Sequence, residues 1–144
     1  MSDKIQISGQ FTQVEHEVGA SGIYPGMLVM VDSDDEAVVH DTLGGTCEVL
    51  VPIEDIHAGQ TVDDALTSGE RNQFVIPHPG AVFQGLVASG QALSIGEKLI
   101  SGGDGTFIAE NAASSADLVK QVIAISRETK TTLAANTLVK MRRV

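Results

Sequence analysis

Short stretches in which apolar and polar residues alternate recur along the chain. Alternation with a period of two is typical of β-strands with one buried face, because successive side chains point to opposite sides of a sheet. Gly, Pro, Asn and Asp, the residues that favour tight turns, separate these stretches. The pattern predicts strands at residues 27–31, 37–40, 46–52, 72–76, 81–88, 98–100, 106–109, 119–126 and 137–144.

The first 20 residues are more polar than the rest, with Ile5, Ile7 and Phe11 spaced along them. This spacing predicts an N-terminal arm or an edge strand that could add to the sheet edge of a neighbouring subunit, or pack on its own domain. The sequence Gly19-Ala20-Ser21-Gly22 interrupts the pattern. We therefore predict that residues 1–20 form the arm or edge strand and residues 21–144 a single β domain.

Turn chemistry identifies two hairpins and two short helical candidates. The acidic residues 32–36 form one predicted hairpin tip, and Ser101-Gly102-Gly103-Asp104-Gly105 forms another, because Asp-Gly accepts the positive φ of tight turns. Thr61 could cap a helix of about two turns over residues 61–66. Residues 111–117 suit a loop or a single helical turn. Together these elements predict an all-β fold, a small β-barrel or β-sandwich of short antiparallel strands.

The composition supports the all-β prediction. Val and Ile together number 27 against 10 Leu, and the chain has 15 Gly. β-branched side chains favour strands, and Gly favours the turns between them. With no Trp, one Tyr and four Phe, the core must consist of small aliphatic groups that each bury little area. We therefore expect contacts between subunits to add to the stability.

Charge is unevenly distributed along the chain. Residues 1–70 carry 14 acids and one base, a net charge of −13, whereas residues 71–144 carry 5 acids and 8 bases, a net charge of +3. The overall charge of −10 argues against nucleic acid as a partner, because phosphates would be repelled. The asymmetry is compatible with acidic and basic surfaces that meet between subunits, or with solvated faces that keep the protein soluble. Arg142 and Arg143 could face an acidic neighbour or lie at a solvated C-terminus.

Neither a membrane-spanning apolar run nor a signal peptide is visible, so no membrane partner is expected. The single cysteine, Cys47, excludes an intrachain disulfide and fits synthesis in a reducing cytoplasm.

Candidate chemistry is sparse. A calcium-binding EF-hand loop that began at Asp32 would need Gly and Glu where Ala37 and Leu43 stand, so only weak cation binding at residues 32–36 stays open. His40, Asp41 and Cys47 contain the residue types of a thiol nucleophile, but their spacing matches no known signature. Cys47 is in phase with two valines, which favours a buried position. We predict no catalytic residue, no metal site and no cofactor.

Three stretches of turn and strand-packing residues stand out in their order and spacing. They are Gly22-Ile23-Tyr24-Pro25-Gly26-Met27-Leu28; Ile53-Glu54-Asp55 with Gly59-Gln60-Thr61-Val62-Asp63-Asp64-Ala65 and Ser68-Gly69-Glu70-Arg71; and Gly80-Ala81-Val82-Phe83 with residues 88–99 and 102–106. Over about residues 20–144 the chain resembles the small decoration, or cement, proteins of tailed-bacteriophage heads. It departs from them in its polar N-terminal segment and its acidic residues 32–36.

The resemblance implies a structural protein of the virion, made in the host cytoplasm, that binds the outer capsid surface. It implies that the partners are the major capsid protein and further copies of the chain, commonly in homotrimers at three-fold or quasi-three-fold positions of the mature head. In this role the protein would clamp adjoining capsid subunits against the pressure of packaged DNA. The inter-subunit contact candidates are Ile5, Ile7, Phe11, Arg142 and Arg143.

Two other functions suit a small β protein. A lipoyl or biotinyl carrier needs a modifiable lysine at a hairpin tip, whereas Lys98 enters a strand and residues 102–105 contain no lysine. A glycan- or receptor-binding module usually stacks sugars on aromatic side chains, of which the chain has few.

Overall fold

Two β-sheets and one short 3₁₀ turn account for the regular structure of the described residues. The computed structural model describes residues 4–45, 48–54, 59–112 and 120–144. The strands in this part of the chain are β1 (Ile7–Ser8), β2 (Phe11–Val18), β3 (Val29–Val31), β4 (Glu36–Val39), β5 (Val51–Pro52), β6 (Arg71–Pro77), β7 (Val82–Val87), β8 (Lys98–Ser101), β9 (Phe107–Ala109), β10 (Ala124–Ser126) and β11 (Thr137–Arg143). The 3₁₀ turn is Glu110–Ala112. The predicted all-β class is confirmed.

The six-stranded sheet closes into a small barrel. Its order is β1-β7-β11-β10-β8-β9, and β9 returns to pair with β7, where Val87 lies opposite Phe107. Strands β7, β11, β10, β8 and β9 therefore form a closed ring. β1 lies outside the ring and pairs with the first half of β7, with Ile7 opposite Phe83. Closure removes most of the exposed strand edges that would otherwise pair with other chains.

The barrel interior follows from alternation along its strands. In β7 the odd-numbered positions Phe83, Gly85 and Val87 are buried, and the even-numbered ones are half-buried on the outside. The rings of Phe83 and Phe107 meet with their centroids 6.1 Å apart. The barrel contributes most of the larger core cluster, which consists of Leu28, Val49, Val51, Val75, Phe83, Val87, Leu93, Leu99, Phe107, Ala109, Ile123, Ala124, Val139 and Met141.

The second sheet has the order β3-β4-β2-β6-β5 and packs on the barrel. β6 has a core on both of its faces, because Val75 joins the barrel cluster while its neighbour Phe74 joins the second one. This explains why two consecutive residues of β6 are buried. The second cluster consists of Val18, Ile23, Val29, Ala37, Leu50, Leu66 and Phe74.

Residues 26–28 join the two sheets through backbone hydrogen bonds. The Leu28 N–H donates to the Gly105 carbonyl at 2.7 Å, and the Leu86 N–H of the barrel donates to the Gly26 carbonyl at 2.8 Å. The Gly26 N–H in turn donates to the Pro52 carbonyl of the second sheet at 3.1 Å. The two sheets are therefore tied by main-chain contacts as well as by side-chain packing.

Both predicted hairpins are present. β3 and β4 pair in antiparallel fashion around residues 32–35, where Asp35 has a φ of 62°. β8 and β9 pair around residues 102–106, where Gly103 and Gly105 have positive φ and Asp104 accepts the Thr106 N–H at 3.1 Å. In both turns an aspartate side chain accepts a hydrogen bond from a backbone N–H group of the turn.

The helix predicted over residues 61–66 is absent. The Asp64 N–H donates to the Thr61 carbonyl, and the Asp64 carboxylate accepts the Thr61 N–H at 2.8 Å, which closes one turn. The Leu66 N–H then donates to the Ile23 carbonyl, so the chain leaves the helical path to join the second core.

The strand predicted over residues 46–52 is shorter, because only β5 is regular there, and Thr46 and Cys47 lie outside the described residues. Residues 113–119 lie outside them as well, so only the start of the predicted 111–117 element is seen, within the 3₁₀ turn.

Candidate interaction surfaces

A patch of basic and aliphatic side chains covers part of the outer wall of the barrel. Register places Lys98 of β8 and Arg142 of β11 on either side of Ile125 of β10. Adjacent strands lie about 4.8 Å apart, so the two cationic residues stand on strands about 10 Å apart with an isoleucine between them. Lys140 points to the same side as Arg142, two residues earlier on β11. We call this patch, with the nearby Ile95, the basic face.

Ile95 is the most exposed of the large hydrophobic residues in the described chain, at 64%. It lies at the tip of a turn in which the Glu97 N–H donates to the Ser94 carbonyl. The Gly96 N–H donates to the carbonyl of Ser126, so this turn lies beside the end of β10. The basic face therefore combines cations with an exposed aliphatic residue, a mixture that is common at protein–protein interfaces.

Sequence analysis identified Arg142 but missed the rest of this surface. Alternation within β11, where Val139 and Met141 are buried, is the signal that would have placed Lys140 and Arg142 on one outer side. Arg143 lies on the other side of the strand. It is half-buried, and its Nη1 donates to the Val144 carbonyl at 2.6 Å, so its guanidinium is already occupied.

The opposite charge is concentrated around the β3–β4 hairpin. Glu17 of β2 lies directly across from Glu36 of β4, and Asp32 and Asp34 are in the turn beside them. The Asp32 Oδ1 accepts the backbone N–H groups of Asp34 at 2.9 Å and Glu36 at 3.0 Å. We call these four residues, with the exposed Val31 at the end of β3, the acidic face.

Glu15 of β2, in the same sheet, has a cationic partner. Arg71 donates from its Nε to the Glu15 carboxylate, which holds the pKa of Glu15 below its ordinary value. Gln73 donates to the same carboxylate at 3.0 Å. Glu15 is therefore not part of the uncompensated charge of the acidic face.

Partial burial raises the pKa of Glu36 above its ordinary value, and the neighbouring charges of Glu17, Asp32 and Asp34 raise it further. Ionised Glu36 is thus less favourable in the folded chain than in the unfolded one. A carboxyl whose pKa rises on folding destabilises the protein above that pKa, and this penalty is lost as the pH falls through the folded-state value.

We therefore expect Glu36→Gln to raise the thermal unfolding midpoint at pH 7. The gain should shrink as the pH falls through the folded-state pKa of Glu36 and vanish below its ordinary pKa, because the wild-type carboxyl is then neutral. Thermal unfolding of both proteins between pH 3 and pH 8 measures the effect. The control Asp63→Asn, an exposed acid outside this surface, should change little. A gain that is constant with pH would contradict the assignment.

The N-terminal candidates lie against their own chain. Ile7 of β1 is half-buried against the barrel core, and the Ile5 N–H donates to the Glu54 carboxylate at 3.1 Å. Phe11 begins β2 opposite Pro77 and is 43% exposed. Of these three residues, Phe11 offers a neighbouring subunit the most apolar surface, and its contact with such a subunit stays a prediction.

The histidine considered as a catalytic base lies inside the protein. His40 is 3% exposed, and its Nδ1 is 2.6 Å from the Oγ of Ser101, which is fully buried. This contact satisfies two buried polar groups between β4 and β8. Asp41 is exposed, and Cys47 lies outside the described residues. The structure thus gives His40 a packing role, and the prediction for Cys47 falls outside the described residues.

The described residues contain neither a cluster of metal ligands nor a membrane-spanning helix. Among residues 4–45, 48–54, 59–112 and 120–144, no three His, Cys, Asp or Glu side chains are grouped so as to hold a metal ion. In the same residues no helix has the length and apolar character needed to cross a membrane.

The fold has a counterpart among solved structures. The chain is similar to the head fiber gp8.5 N base in bacteriophage phi29, with a TM-score of 0.58 and 13% sequence identity, over 94% of this chain and 95% of that one. No protein-family model matches the chain, and no curated protein matches it in sequence. At this level of identity the likeness shows a shared fold, and it extends over nearly the whole of both chains.

Proposed function

We propose that this chain is a structural protein of a bacteriophage head. The observation that carries the proposal is the structural likeness to a phage head fiber base over 94% of the chain. The resemblance of residues 20–144 to decoration proteins points to the same part of the virion from independent features of the sequence. A fold by itself does not define a function, and the agreement of these two observations is what supports this one.

The finer proposal is that the protein acts as cement on the outer surface of the mature head. Its partners are the major capsid protein and further copies of itself, which associate as trimers at three-fold or quasi-three-fold positions. The net charge of −10 supports an external position, because an acidic protein would be repelled by packaged DNA. The exposed Phe11 and Ile95 supply apolar surface for such contacts.

Binding to one state of the shell explains how such a protein would stabilise a head. A ligand that binds only the mature shell stabilises it by about 2.7 kcal/mol per site at a hundredfold excess over Kd. Selectivity requires contacts that span capsid subunits, because their spacing is correct only in the mature form. Many equivalent sites make weak individual contacts strong in sum.

The role is proposed to be non-enzymatic. It is supported by the burial of His40 and Ser101, whose Nδ1 and Oγ are 2.6 Å apart and satisfy each other inside the protein. The carrier alternative gains no support, since Lys98 opens strand β8 and lies on the barrel wall.

Co-sedimentation with phage heads tests the proposal. Purified protein is mixed with undecorated mature heads and, as the matched control, with unexpanded heads of the same phage. We expect saturable binding to mature heads and at least about tenfold weaker binding to unexpanded ones. Absence of binding to mature heads at saturating protein would contradict the proposed role.

A further inference from the structure

Within the part of the chain that the structure describes, neither the basic face nor the acidic face forms an ion pair with a Lys, Arg, Asp or Glu side chain. Lys98, Lys140 and Arg142 have no acidic side chain within ion-pair distance among the described residues. The acids closest to them along the chain already have other partners. Glu97 directly precedes Lys98, and its carboxylate accepts the Ser94 N–H at 3.1 Å. Glu128 accepts the Lys140 backbone N–H at 2.7 Å and lies 3.8 Å from the Lys130 Nζ. Glu128 is therefore already engaged. In a protein with a net charge of −10, three uncompensated cations on one outer wall need an explanation.

The acids of the acidic face likewise have no Lys or Arg partner among the described residues. Glu17, Asp32 and Asp34 repel ionised Glu36, and no Lys or Arg of the described chain lies within ion-pair distance of these four acids. A cationic partner would relieve this repulsion, whereas solvent only screens it. Like charges held this close are unfavourable in the isolated chain and become favourable when opposite charge is brought to them.

The two faces also match in their apolar content. Val31 of the acidic face is 38% exposed and precedes Asp32 directly. The basic face offers Ile125 between its cations and Ile95 at its edge. An apolar centre with charged residues around it is the usual arrangement of a protein–protein contact, in which the centre supplies affinity and the charges supply orientation.

We propose that the acidic face of one copy docks on the basic face of the next. The faces lie on different sheets, so the contact is heterologous, joining unlike surfaces of identical chains, and a set of such contacts can close into a ring. The acids of the acidic face lie within residues 1–70 and the cations of the basic face within residues 71–144, so the contact pairs the acidic part of one copy with the basic part of the next. This inference rests on the part of the proposed function in which copies associate, and it names the surfaces through which they do so.

A charge-swap experiment on the free protein tests the contact without phage heads. One variant carries Lys140→Glu and Arg142→Glu, which reverse the basic face, and the other carries Asp34→Lys and Glu36→Lys, which reverse the acidic face. The control carries Asp41→Lys and Asp63→Lys, exposed acids that belong to neither face. Each protein differs from wild type by four units of charge. Circular dichroism and thermal unfolding verify that each variant is folded. A variant that does not fold is replaced by one with Asn, Gln or Ala at the same positions.

Sedimentation velocity over a concentration series, at about 0.05 M and about 0.5 M salt, measures association. We expect wild type and the control to associate at low salt and at least about tenfold more weakly at high salt. Each reversed variant should stay monomeric alone, and an equimolar mixture of the two should associate, because the reversed faces attract each other again.

Wild type that stays monomeric at low salt, a reversed variant that associates like wild type, or a mixture without recovery would each overturn this contact. Head binding is measured separately by co-sedimentation. If the mixture of reversed variants does not associate while wild type still binds heads, only the proposed contact between copies is overturned. The basic face would then be assigned to the acidic surface of another protein. The opposite outcome would overturn only the attachment to heads.

Discussion

Gly85→Val is expected to lower the free energy of unfolding by about 3 kcal/mol or more, because the barrel interior has no room for the new side chain. A Cβ at Gly85 would lie 2.6 Å from the Met141 Cε and 2.8 Å from the Phe107 Cε2, closer than carbon atoms approach in folded proteins. The Met141 thioether can move aside for one methyl group. The Phe107 ring, fully buried against Phe83, has no free space to enter.

The same argument predicts a graded series at this position. Gly85→Ala should cost about 1–2 kcal/mol, less than Gly85→Val, because it adds only the Cβ that crowds Met141 and Phe107, whereas Val adds two further methyl groups to the same space. Lys140→Ala on the outer side of the paired strand is the matched control and should change the stability by less than about 0.5 kcal/mol. Urea denaturation followed by circular dichroism gives all three values. A Gly85→Val protein as stable as wild type would contradict the packing described for the barrel.

Phe74→Ala is expected to cost about 3–5 kcal/mol through loss of the largest side chain in the second core. Phe74 is fully buried, and the His16 ring packs on it with the centroids 5.8 Å apart. A cavity at this position cannot collapse easily, because the neighbouring strands β2, β4 and β6 are held together by main-chain hydrogen bonds. The adjacent Gln73 is half-buried and makes only exposed side-chain hydrogen bonds, to Gln13 and Glu15, so Gln73→Ala should cost less than about 1 kcal/mol.

The two core variants together test whether the barrel and the second sheet unfold as one unit. The hydrogen bonds of Gly26 and Leu28 across the sheets predict a single transition. Phe74→Ala should therefore shift the whole unfolding curve, including the signal from Tyr24, which lies two residues before Gly26. Two separate transitions, of which only one moves, would show that the sheets are independent.

Alternation along the chain was sufficient to predict where most strands of the barrel lie, but it left open whether they form a barrel or a sandwich. The interior positions alternate with outward-facing ones, as Phe83, Gly85 and Val87 do in β7 and Val139 and Met141 in β11. β2 shows the limit of this signal. Of its eight residues only Val18 is buried, yet β2 lies in the middle of the second sheet, because it pairs with β6 from Phe11 to Glu17 and with β4 on its other side. Backbone pairing of this kind does not depend on which side chains are present, so a polar sequence can form a central strand.

Long-range contacts account for the rest of the differences. The capping residues at Thr61 led to the prediction of a helix, which is wrong: a single turn closes, and Leu66 then packs in the second core, where a helix cannot continue. The parallel pairs of β2 with β4 and β7 with β9 join strands that are distant in sequence and carry no local pattern. The basic face depends on strand register, because Lys98 and Arg142 are 44 positions apart and lie near each other only because both are opposite Ile125 of β10.

Cryo-electron microscopy of mature heads mixed with this protein tests the central claim most directly. The proposed function predicts additional density on the outer surface at three-fold or quasi-three-fold positions, of a size and shape that fit the barrel with the second sheet packed against it. Heads that remain bare at saturating protein, or density confined to the inner surface, would contradict it.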